Sequence, residues 1–150
     1  MTDYKIKRLT AAELDAVAEL EALCFCEPWS ANALKLLTTP DAIGFVCMEG
    51  KRAVAYGGML YAPDEGQITN IAVAPDARRR GYGRAILEAL IQNAEEKSLE
   101  QISLEVRKSN EAAIALYEAF GFFVAGVRKN FYKHPIENGL VMLKSLKEDK

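Results

Sequence analysis

A short run of arginines and glycines has the chemistry of an anion site. The run reads Arg78, Arg79, Arg80, Gly81, Tyr82 and Gly83. A β-branched stretch precedes it, and a periodic apolar pattern typical of a helix follows it. The first turn of a helix has backbone amides without partners and the positive end of the helix dipole, so it suits a phosphate. Glycines allow close backbone approach, and guanidinium groups pair with phosphate oxygens. The pattern predicts a phosphate-binding loop.

Two well-known nucleotide-binding loops do not match this run. A P-loop ends in Gly-Lys-Ser or Gly-Lys-Thr, whereas Gly83 is followed by Arg84-Ala85. The dinucleotide-binding fingerprint needs a third glycine where this chain has Ile86. Glu105 matches the acidic residue expected about 20 positions further on, but the missing glycine outweighs that partial match. The pattern Arg-x-x-Gly-x-Gly remains, and it does not identify the ligand that carries the phosphate.

Two residues further along the chain have side chains that can move protons. Glu105 ends an alternating strand pattern, where a carboxylate can act as a base or simply face solvent. Periodicity alone favours the solvated residue, since most glutamates are exposed. Tyr117 shares a helical face with Ala113, Ile114 and Phe120, which favours a ring packed in the core. Spacing alone therefore favours a structural role for both residues over a catalytic one.

Other reactive side chains are sparse. The three cysteines, Cys24, Cys26 and Cys47, form no C-x-x-C pair, so neither a disulfide framework nor a zinc site is predicted. The one histidine, His134, precedes Pro135 and is interpreted as a turn residue. A single histidine leaves no His-based metal cluster and no Ser-His-Asp triad. We therefore expect no metal in this protein.

Length and composition favour one domain over residues 1–150. Half of the chain is hydrophobic, 27% is charged, and the net charge is −2. This balance argues against a protein that mainly coats nucleic acid or an anionic membrane. No stretch reaches the roughly 20 apolar residues that span a bilayer, and the first residues lack the apolar core of a secretory signal. Together with the unpaired cysteines, these features indicate a cytoplasmic protein.

The first half of the chain predicts a strand, two helices and a meander. Residues 4–9 read as a strand, and Thr10-Ala11-Ala12-Glu13 has the form of a capping box for a helix that ends near Cys24. Ser30 caps a short helix over residues 31–38, which follows a connector broken by Pro28. Three strands joined by short turns should then pair antiparallel; they are residues 43–49, 52–62 and 67–73. The Gly57-Gly58 pair in the middle strand indicates a bulge or a close backbone approach.

The second half predicts a β-α-β crossover. The helix behind Gly83 carries a continuous apolar stripe from Ile86 and ends near Lys97. Because this helix separates them, the strands at residues 67–73 and 101–106 can lie parallel in one sheet. The sequence thus predicts an α/β fold with a mixed sheet, in which antiparallel strands precede a parallel central pair and helices cover both faces.

The remaining elements lie close to the predicted site. Asn110 caps a helix over residues 111–120, which Gly121 stops. Two final strands, residues 122–128 and 140–146, are joined by a loop through His134. Ligands of open α/β sheets bind outside the carboxyl ends of parallel strands. The glycine run, Glu105 and Asn110 should therefore converge at one edge of the sheet.

These motifs together resemble the GNAT superfamily of acetyl-CoA-dependent N-acetyltransferases. The resemblance is carried by three stretches: Ile71-Ala72-Val73 with Arg78-x-x-Gly81-x-Gly83, Leu104-Glu105-Val106-Arg107-x-Ser109-Asn110, and Ala113-x-x-Leu116-Tyr117-x-x-x-Gly121-Phe122. Within the superfamily, the chain is most similar to the RimI-like group, the bacterial ribosomal-protein-alanine N-acetyltransferases. The stretches that extend this similarity are Phe25-x-x-Pro28-Trp29-Ser30, Arg128-Lys129-Asn130-Phe131-Tyr132 and Glu137-Asn138-Gly139-Leu140-Val141-Met142.

The resemblance implies roles for individual residues. Glu105 would be the general base and Tyr117 the general acid, which reverses the preference from spacing alone. Asn110 would contact acetyl-CoA. The acetyl and pantetheine part would be bound by the backbone of Ile71, Ala72 and Val73. The pyrophosphate would be bound by Arg78, Arg79, Arg80, Gly81, Tyr82 and Gly83. Trp29 and Tyr132 are candidate walls of an acceptor groove.

The activity that this implies is transfer of an acetyl group to the N-terminal amine of a protein, namely the alanine of a small-subunit ribosomal protein. No nucleic-acid or membrane partner is expected. Two alternatives stay open: an acetyltransferase for another amine, such as a lysine side chain or a small molecule, and a non-catalytic module that binds acetyl-CoA or the ribosome. The presence of both Glu105 and Tyr117 argues against the second.

Three positions depart from the pattern of the group. The group commonly has Asp-Ala where this chain has Asn138-Gly139, and a second tyrosine where it has Phe131. In relatives this segment borders the acceptor peptide. The departures therefore bear on the choice of acceptor and not on the use of acetyl-CoA.

Overall fold

One seven-stranded sheet runs through the protein, whose computed structural model describes residues 5–147. The strands are β1 Ile6–Arg8, β2 Ala42–Glu49, β3 Arg52–Tyr61, β4 Glu65–Val73, β5 Gln101–Arg107, β6 Phe123–Lys133 and β7 Ile136–Ser145. Their spatial order is β1-β2-β3-β4-β5-β7-β6. Neighbouring strands are antiparallel except for β4 and β5, which are parallel. The predicted meander followed by a parallel central pair is confirmed.

Four α-helices and three 3₁₀ helices accompany the sheet within the described residues. The α-helices are α1 Leu14–Cys24, α2 Ala31–Leu34, α3 Tyr82–Glu96 and α4 Glu111–Ala119. The 3₁₀ helices are Ala11–Glu13, Lys35–Thr38 and Pro75–Ala77. The predicted capping box is present, because Glu13 accepts from the Thr10 amide at 2.9 Å while the Thr10 side chain accepts from the first turn. The 3₁₀ helix at Pro75–Ala77 was not predicted.

Two neighbouring residues of β3 show that helices cover both faces of the sheet. The hydroxyl of Tyr56 contacts Glu21 of α1. A Cβ built on Gly57 would lie 2.5 Å from Cγ2 of Ile86 on α3. Successive strand residues point to opposite faces, so α1 and α3 lie on opposite sides of β3. The glycine at position 57 lets the buried stripe of α3 approach the strand closely.

The Gly57-Gly58 pair also marks the predicted irregularity in the sheet. Gly57 pairs with Ile71 and Met59 pairs with Ile68, so two residues of β4, Thr69 and Asn70, stand opposite Gly58 alone. An extra residue of this kind is a β-bulge, which bends its strand and increases the local twist. Both features predicted from the glycine pair, the bulge and the close approach, are therefore found.

The last two strands differ from the prediction. The sequence predicts a loop between residues 128 and 140, but β6 continues to Lys133 and β7 begins at Ile136, which leaves a tight turn at His134-Pro135. The extension of β6 is largely exposed and therefore lacks apolar alternation. An irregularity between Arg128 and Tyr132, with Asn130 at φ 53°, also breaks the period. The predicted first residue of the opening strand, Tyr4, lies outside the described residues.

Candidate active site

β4 and β5 pair over only three residues each and then separate. Glu65–Gln67 pairs with residues 101–103, and beyond these residues the carboxyl halves of the two strands do not pair with each other. The bulge at Thr69 and Asn70 lies just beyond the point of separation. A cavity of about 590 Å³ opens between the separated strands. A ligand site at the carboxyl ends of parallel strands is thus available in this fold.

The cavity brings together residues that are far apart in the chain. Six of the predicted site residues line it: Trp29, Ile71, Glu105, Asn110, Tyr117 and Tyr132. The walls come from the α1–α2 connector, β4, β5, α4 and the β6–β7 hairpin. The rest of the predicted cofactor set, Ala72, Val73 and the run from Arg78 to Gly83, does not line this cavity. Those residues continue from β4 into the start of α3.

Tyr117 is a buried residue of the cavity wall. It is 8% exposed, and its ring packs against Phe122 with the centroids 5.7 Å apart. Burial raises the pKa of Tyr117 to about 12, with a smaller contribution from Tyr132. The hydroxyl is therefore protonated at neutral pH. The expected core packing is confirmed, and the same residue also lines the cavity.

Glu105 lies at the rim of the cavity, where its side chain is 35% exposed. Its carboxylate accepts a hydrogen bond from Nη1 of Arg128 at 2.8 Å. The guanidinium of Arg128 also lies over the ring of Phe131, 4.5 Å from the centroid. The hydrogen bond from the guanidinium orients the carboxylate of Glu105 at the rim.

Tyr132 forms part of the wall beside Glu105. The guanidinium of Arg107 lies 4.4 Å from the centroid of its ring, and the ring of Phe131 contacts it edge-on at 5.0 Å. Burial raises the pKa of Tyr132, and the negative charge of Glu105 raises it further. Tyr132 therefore presents a neutral hydroxyl and an apolar ring to the groove.

Polar contacts hold the hairpin tip over the cavity. Arg107 of β5 donates to Oε1 of Glu137 at 3.2 Å and to the carbonyl of Pro135 at 3.0 Å. The other carboxylate oxygen of Glu137 accepts from the Ser109 amide at 2.6 Å. From the opposite side, Glu27 of the α1–α2 connector lies 3.0 Å from Nε2 of His134. The expected turn at His134 is therefore present, and its side chain reaches across the groove.

The run predicted to bind a phosphate lies at the start of α3. Gly81 is the N-cap residue with φ 86°, and no side chain caps this helix. The first turn of a helix is a favourable place for an anion. The side chain of Tyr82 is buried and its hydroxyl donates to Glu49 at 3.0 Å. Asn110 caps α4 by accepting from the Ala113 amide at 3.2 Å.

Some backbone groups at the end of β4 are already bonded inside the protein. The carbonyl of Val73 accepts from Nε of Arg78 at 3.2 Å and from Sγ of Cys24 at 3.4 Å. The amide of Ala74 donates to the carbonyl of Val54 at 2.8 Å. The amide of Ala74 is therefore already used inside the protein.

A family model described as "Acetyltransferase (GNAT) family" matches residues 14–122. The chain belongs to the GNAT acetyltransferase family. Among its relatives, the [ribosomal protein bS18]-alanine N-acetyltransferase of Escherichia coli (strain K12) is 37% identical over 127 residues, which cover 85% of this chain and 86% of that protein. The residues matched by the family model include the separated strands, the glycine run and α4. This GNAT protein is an N-acetyltransferase.

Solved structures extend the comparison to nearly the whole chain. The crystal structure of the ribosomal-protein-S18-alanine N-acetyltransferase from Escherichia coli superposes with a TM-score of 0.89 at 33% identity, covering 99% of this chain and 97% of that one. A GNAT family acetyltransferase from Elizabethkingia anophelis with acetyl-CoA bound has a TM-score of 0.79 at 20% identity, covering 97% of this chain and 100% of that one. The second likeness is one of fold.

One residue behind the cavity wall of this GNAT protein was missed by sequence reasoning. Glu21 of α1 is fully buried and accepts hydrogen bonds from the Trp29 amide at 2.8 Å, from Nδ2 of Asn70 at 3.0 Å and from the Tyr56 hydroxyl. The spacing of residues along α1 could have revealed that Glu21 is buried. Glu21 lies four residues after the buried Val17, and therefore on the apolar face of α1.

Within residues 5–147, no group of three or more histidine, cysteine or acidic side chains is arranged to hold a metal ion. Cys24, Cys26 and Cys47 are free thiols. Over the same residues, no helix has both the length and the apolar character needed to cross a membrane.

Proposed function

We propose that this protein transfers the acetyl group of acetyl-CoA to the N-terminal amine of a protein, and that the acceptor is the N-terminal alanine of ribosomal protein bS18. The observation that carries the proposal is the cavity between β4 and β5, which Glu105 and Tyr117 both line. The choice of acceptor is supported by the names of relatives that match this chain over most of their length.

The start of α3 supports binding of the pyrophosphate of acetyl-CoA. The first turn of α3, the left-handed Gly81 and the arginines at 78–80 would supply donors to the pyrophosphate. The separated edge of β4 over Ile71, Ala72 and Val73 would run along the pantetheine arm, and Asn110 would contact it from the start of α4. When bound, acetyl-CoA supplies the thioester whose carbonyl carbon the acceptor amine attacks.

Glu105 would take the proton that the acceptor amine loses. A free α-amine has a pKa of about 7.7 to 8.0, so a substantial fraction is already deprotonated at neutral pH and a weak base suffices. A lysine side chain, with a pKa near 10.4, is a far harder acceptor to deprotonate. A rim carboxylate that reaches the amine directly or through one water meets the milder demand.

Tyr117 would donate to the departing thiolate. Burial raises the pKa of Tyr117 to about 12, above the ordinary thiol pKa near 8.5, so proton transfer to a fully solvated thiolate would be uphill. The burial that raises the pKa of Tyr117 also disfavours a thiolate in the same cavity. The hydroxyl thus stabilises the leaving sulfur by a hydrogen bond first and passes its proton as the C–S bond breaks.

The departures at Phe131 and Asn138 are compatible with this function. The side chain of Asn138 accepts from the Asn130 amide at 2.9 Å and does not line the cavity. The ring of Phe131 packs on Arg128 and lines the cavity. Neither Phe131 nor Asn138 is given a proton-transfer role in the proposed chemistry, and the change at Phe131 bears on the choice of acceptor.

Mass spectrometry of ribosomal proteins from cells with and without the gene tests the proposal. We expect one N-terminal acetyl group, on the alanine of bS18, to disappear in the deletion strain and to return with the wild-type gene. An unchanged bS18 N-terminus would contradict the proposal. A purified-enzyme assay with an alanine-initiated peptide, and with the same peptide blocked at its N-terminus but containing a lysine, separates α-amine from side-chain acetylation.

A further inference from the structure

A buried carboxylate lies directly behind the acceptor side of the cavity. Glu21 is 0% exposed, although charged side chains are almost never fully buried without partners. Its Oε1 accepts from the Trp29 amide at 2.8 Å, and its Oε2 accepts from Nδ2 of Asn70 at 3.0 Å and from the hydroxyl of Tyr56. The proposed mechanism does not use this group.

These contacts require a hydrogen-bond acceptor at position 21. A carboxylate has two oxygens with room for about four hydrogen bonds, and three donors converge on this one. Burial and the adjacent negative charge both raise the pKa of Tyr56, so its hydroxyl remains a donor. Removing the carboxylate would leave these buried or half-buried donors without a partner, which is costly in a protein interior.

Two of the three partners of Glu21 belong to different walls of the groove. Trp29 lies on the α1–α2 connector and Asn70 on the bulge of β4, and both line the cavity. Glu21 and Tyr56 do not line it. The connector also contains Pro28, which has no backbone N–H and so cannot donate a hydrogen bond. The next amide, that of Trp29, donates to Glu21 and links the connector to α1.

We infer that Glu21 is a positioning residue of the acceptor groove, which fixes the Trp29 connector against the Asn70 bulge before the acceptor binds. The inference rests on the proposed function in one respect, namely that the acceptor occupies this cavity. It assigns to Glu21 no contact with substrate. A groove formed in advance spares the acceptor the cost of ordering the connector on binding.

The experiment compares three variants of the full chain. Glu21→Leu removes both carboxylate oxygens, which accept the hydrogen bonds, and replaces them with a side chain of similar volume. Glu21→Gln keeps one oxygen that can accept from the Trp29 amide. Glu13→Gln is the matched control, because Glu13 is also buried at 5% exposure but its carboxylate contacts Thr10 and Lys7, away from the cavity. Trp29 is the single tryptophan of the chain, so intrinsic tryptophan fluorescence reports on the connector alone.

We expect Glu21→Leu to raise the KM for an alanine-initiated peptide about tenfold, the effect of losing roughly one well-placed hydrogen bond, while the KM for acetyl-CoA stays unchanged. Trp29 emission should shift to longer wavelength and become more open to acrylamide quenching. Glu21→Gln should show a smaller change in both readouts, and Glu13→Gln should show neither. Equal rises in both KM values, or unchanged Trp29 fluorescence in Glu21→Leu, would overturn the inference.

Tyr56→Phe serves if Glu21→Leu fails to fold. This variant removes one hydrogen-bond donor and leaves the carboxylate of Glu21 with two. We therefore expect a smaller rise in the KM for the peptide and a smaller shift of Trp29 emission. A wild-type KM for the peptide together with wild-type fluorescence would overturn the inference. The fluorescence readout needs no acceptor. If the wild-type enzyme does not acetylate the peptide, the proposed function fails, while the Trp29 shift in Glu21→Leu still decides whether Glu21 positions the connector.

Discussion

The carboxylate of Glu105 is hydrogen-bonded to the guanidinium of Arg128 at 2.8 Å across the rim of the cavity. Arg128 belongs to the edge strand β6, two strands away from β5, and it is half exposed. The proposed base is thus held by a cation that solvent can reach. Such a pair orients the carboxylate, but water and salt screen much of its energy.

Arg128→Gln should lower turnover only modestly. An exposed ion pair contributes about 0.2 to 1 kcal/mol, so we expect kcat with an alanine-initiated peptide to fall by no more than about fivefold, with the KM for acetyl-CoA unchanged. Arg52→Gln is the control, because Arg52 pairs with Asp76 at the same 2.8 Å away from the cavity. A wild-type kcat for Arg128→Gln would show that Glu105 does not depend on this partner.

Glu105→Gln should lower kcat by about 10² to 10⁴ with little change in acetyl-CoA affinity, because a positioned base contributes about that much. The deficit should shrink as the pH rises through about 8, where the acceptor amine deprotonates without help. Steady-state rates across pH measure this, with Glu118→Gln on the exposed face of α4 as the control. A pH-independent deficit would argue that Glu105 is not the base.

Tyr117→Phe should slow turnover at every pH at which the wild-type hydroxyl is protonated. The pKa of about 12 means that this range extends well into alkali, so the loss of activity should not itself vary across the neutral range. The ring contact with Phe122 is retained, and acetyl-CoA affinity measured by calorimetry should stay near wild type. If Tyr117→Phe acetylates the peptide at the wild-type rate, the assignment of the acid is wrong.

Tyr117 should also contribute to a loss of stability in alkali. Its pKa is raised from the ordinary value of 10 to about 12 in the folded state, so its contribution is fully present below pH 10 and is lost as pH rises to about 12. Two pKa units correspond to roughly 3 kcal/mol. Urea unfolding of wild type and Tyr117→Phe at about pH 8 and about pH 11.5 should show a smaller alkaline loss in the variant. Equal losses would mean that Tyr117 titrates normally.

Gly81→Val should weaken acetyl-CoA binding about five- to thirtyfold, since a β-branched residue disfavours φ 86° by about 1 to 2 kcal/mol or forces the loop to move. The KM for the peptide should not change. Gly50→Val carries a comparable strain, at φ 64° in the turn between β2 and β3, with open space around its Cβ. That control should lose stability but keep its cofactor affinity, measured by calorimetry with coenzyme A. Unchanged affinity in Gly81→Val would exclude the phosphate-loop assignment.

Local patterns made much of the fold predictable. The stripe of α3 from Ile86, the Thr10 capping box and the Asn110 cap each depend on residues within a few turns of one another. The parallel pairing of β4 with β5 followed from the helix between them. The role of Gly57 was also visible, because glycine weakens a strand interior unless a bulge or a close neighbour requires it there.

The features that were missed depend on register and on distant partners. Arg128 reaches Glu105 because Val141 of β7 pairs with both Glu105 and Gly126, an alignment that no local pattern encodes. The contacts of Glu21 were not predictable because its donors lie on β3, β4 and a connector, up to 49 residues away. The hairpin extension past Arg128 had no apolar alternation to reveal it.

The separation of β4 from β5 creates two strand edges that do not face the outside of the molecule. Exposed edges invite pairing with other chains and lead to aggregation, so proteins usually cover or charge them. Here the edges beyond Gln67 and Ser103 face each other across a cleft roofed by the hairpin tip. The same break in the ladder thus places the unpaired halves of the two strands inside a cleft, where a neighbouring sheet cannot readily align with them.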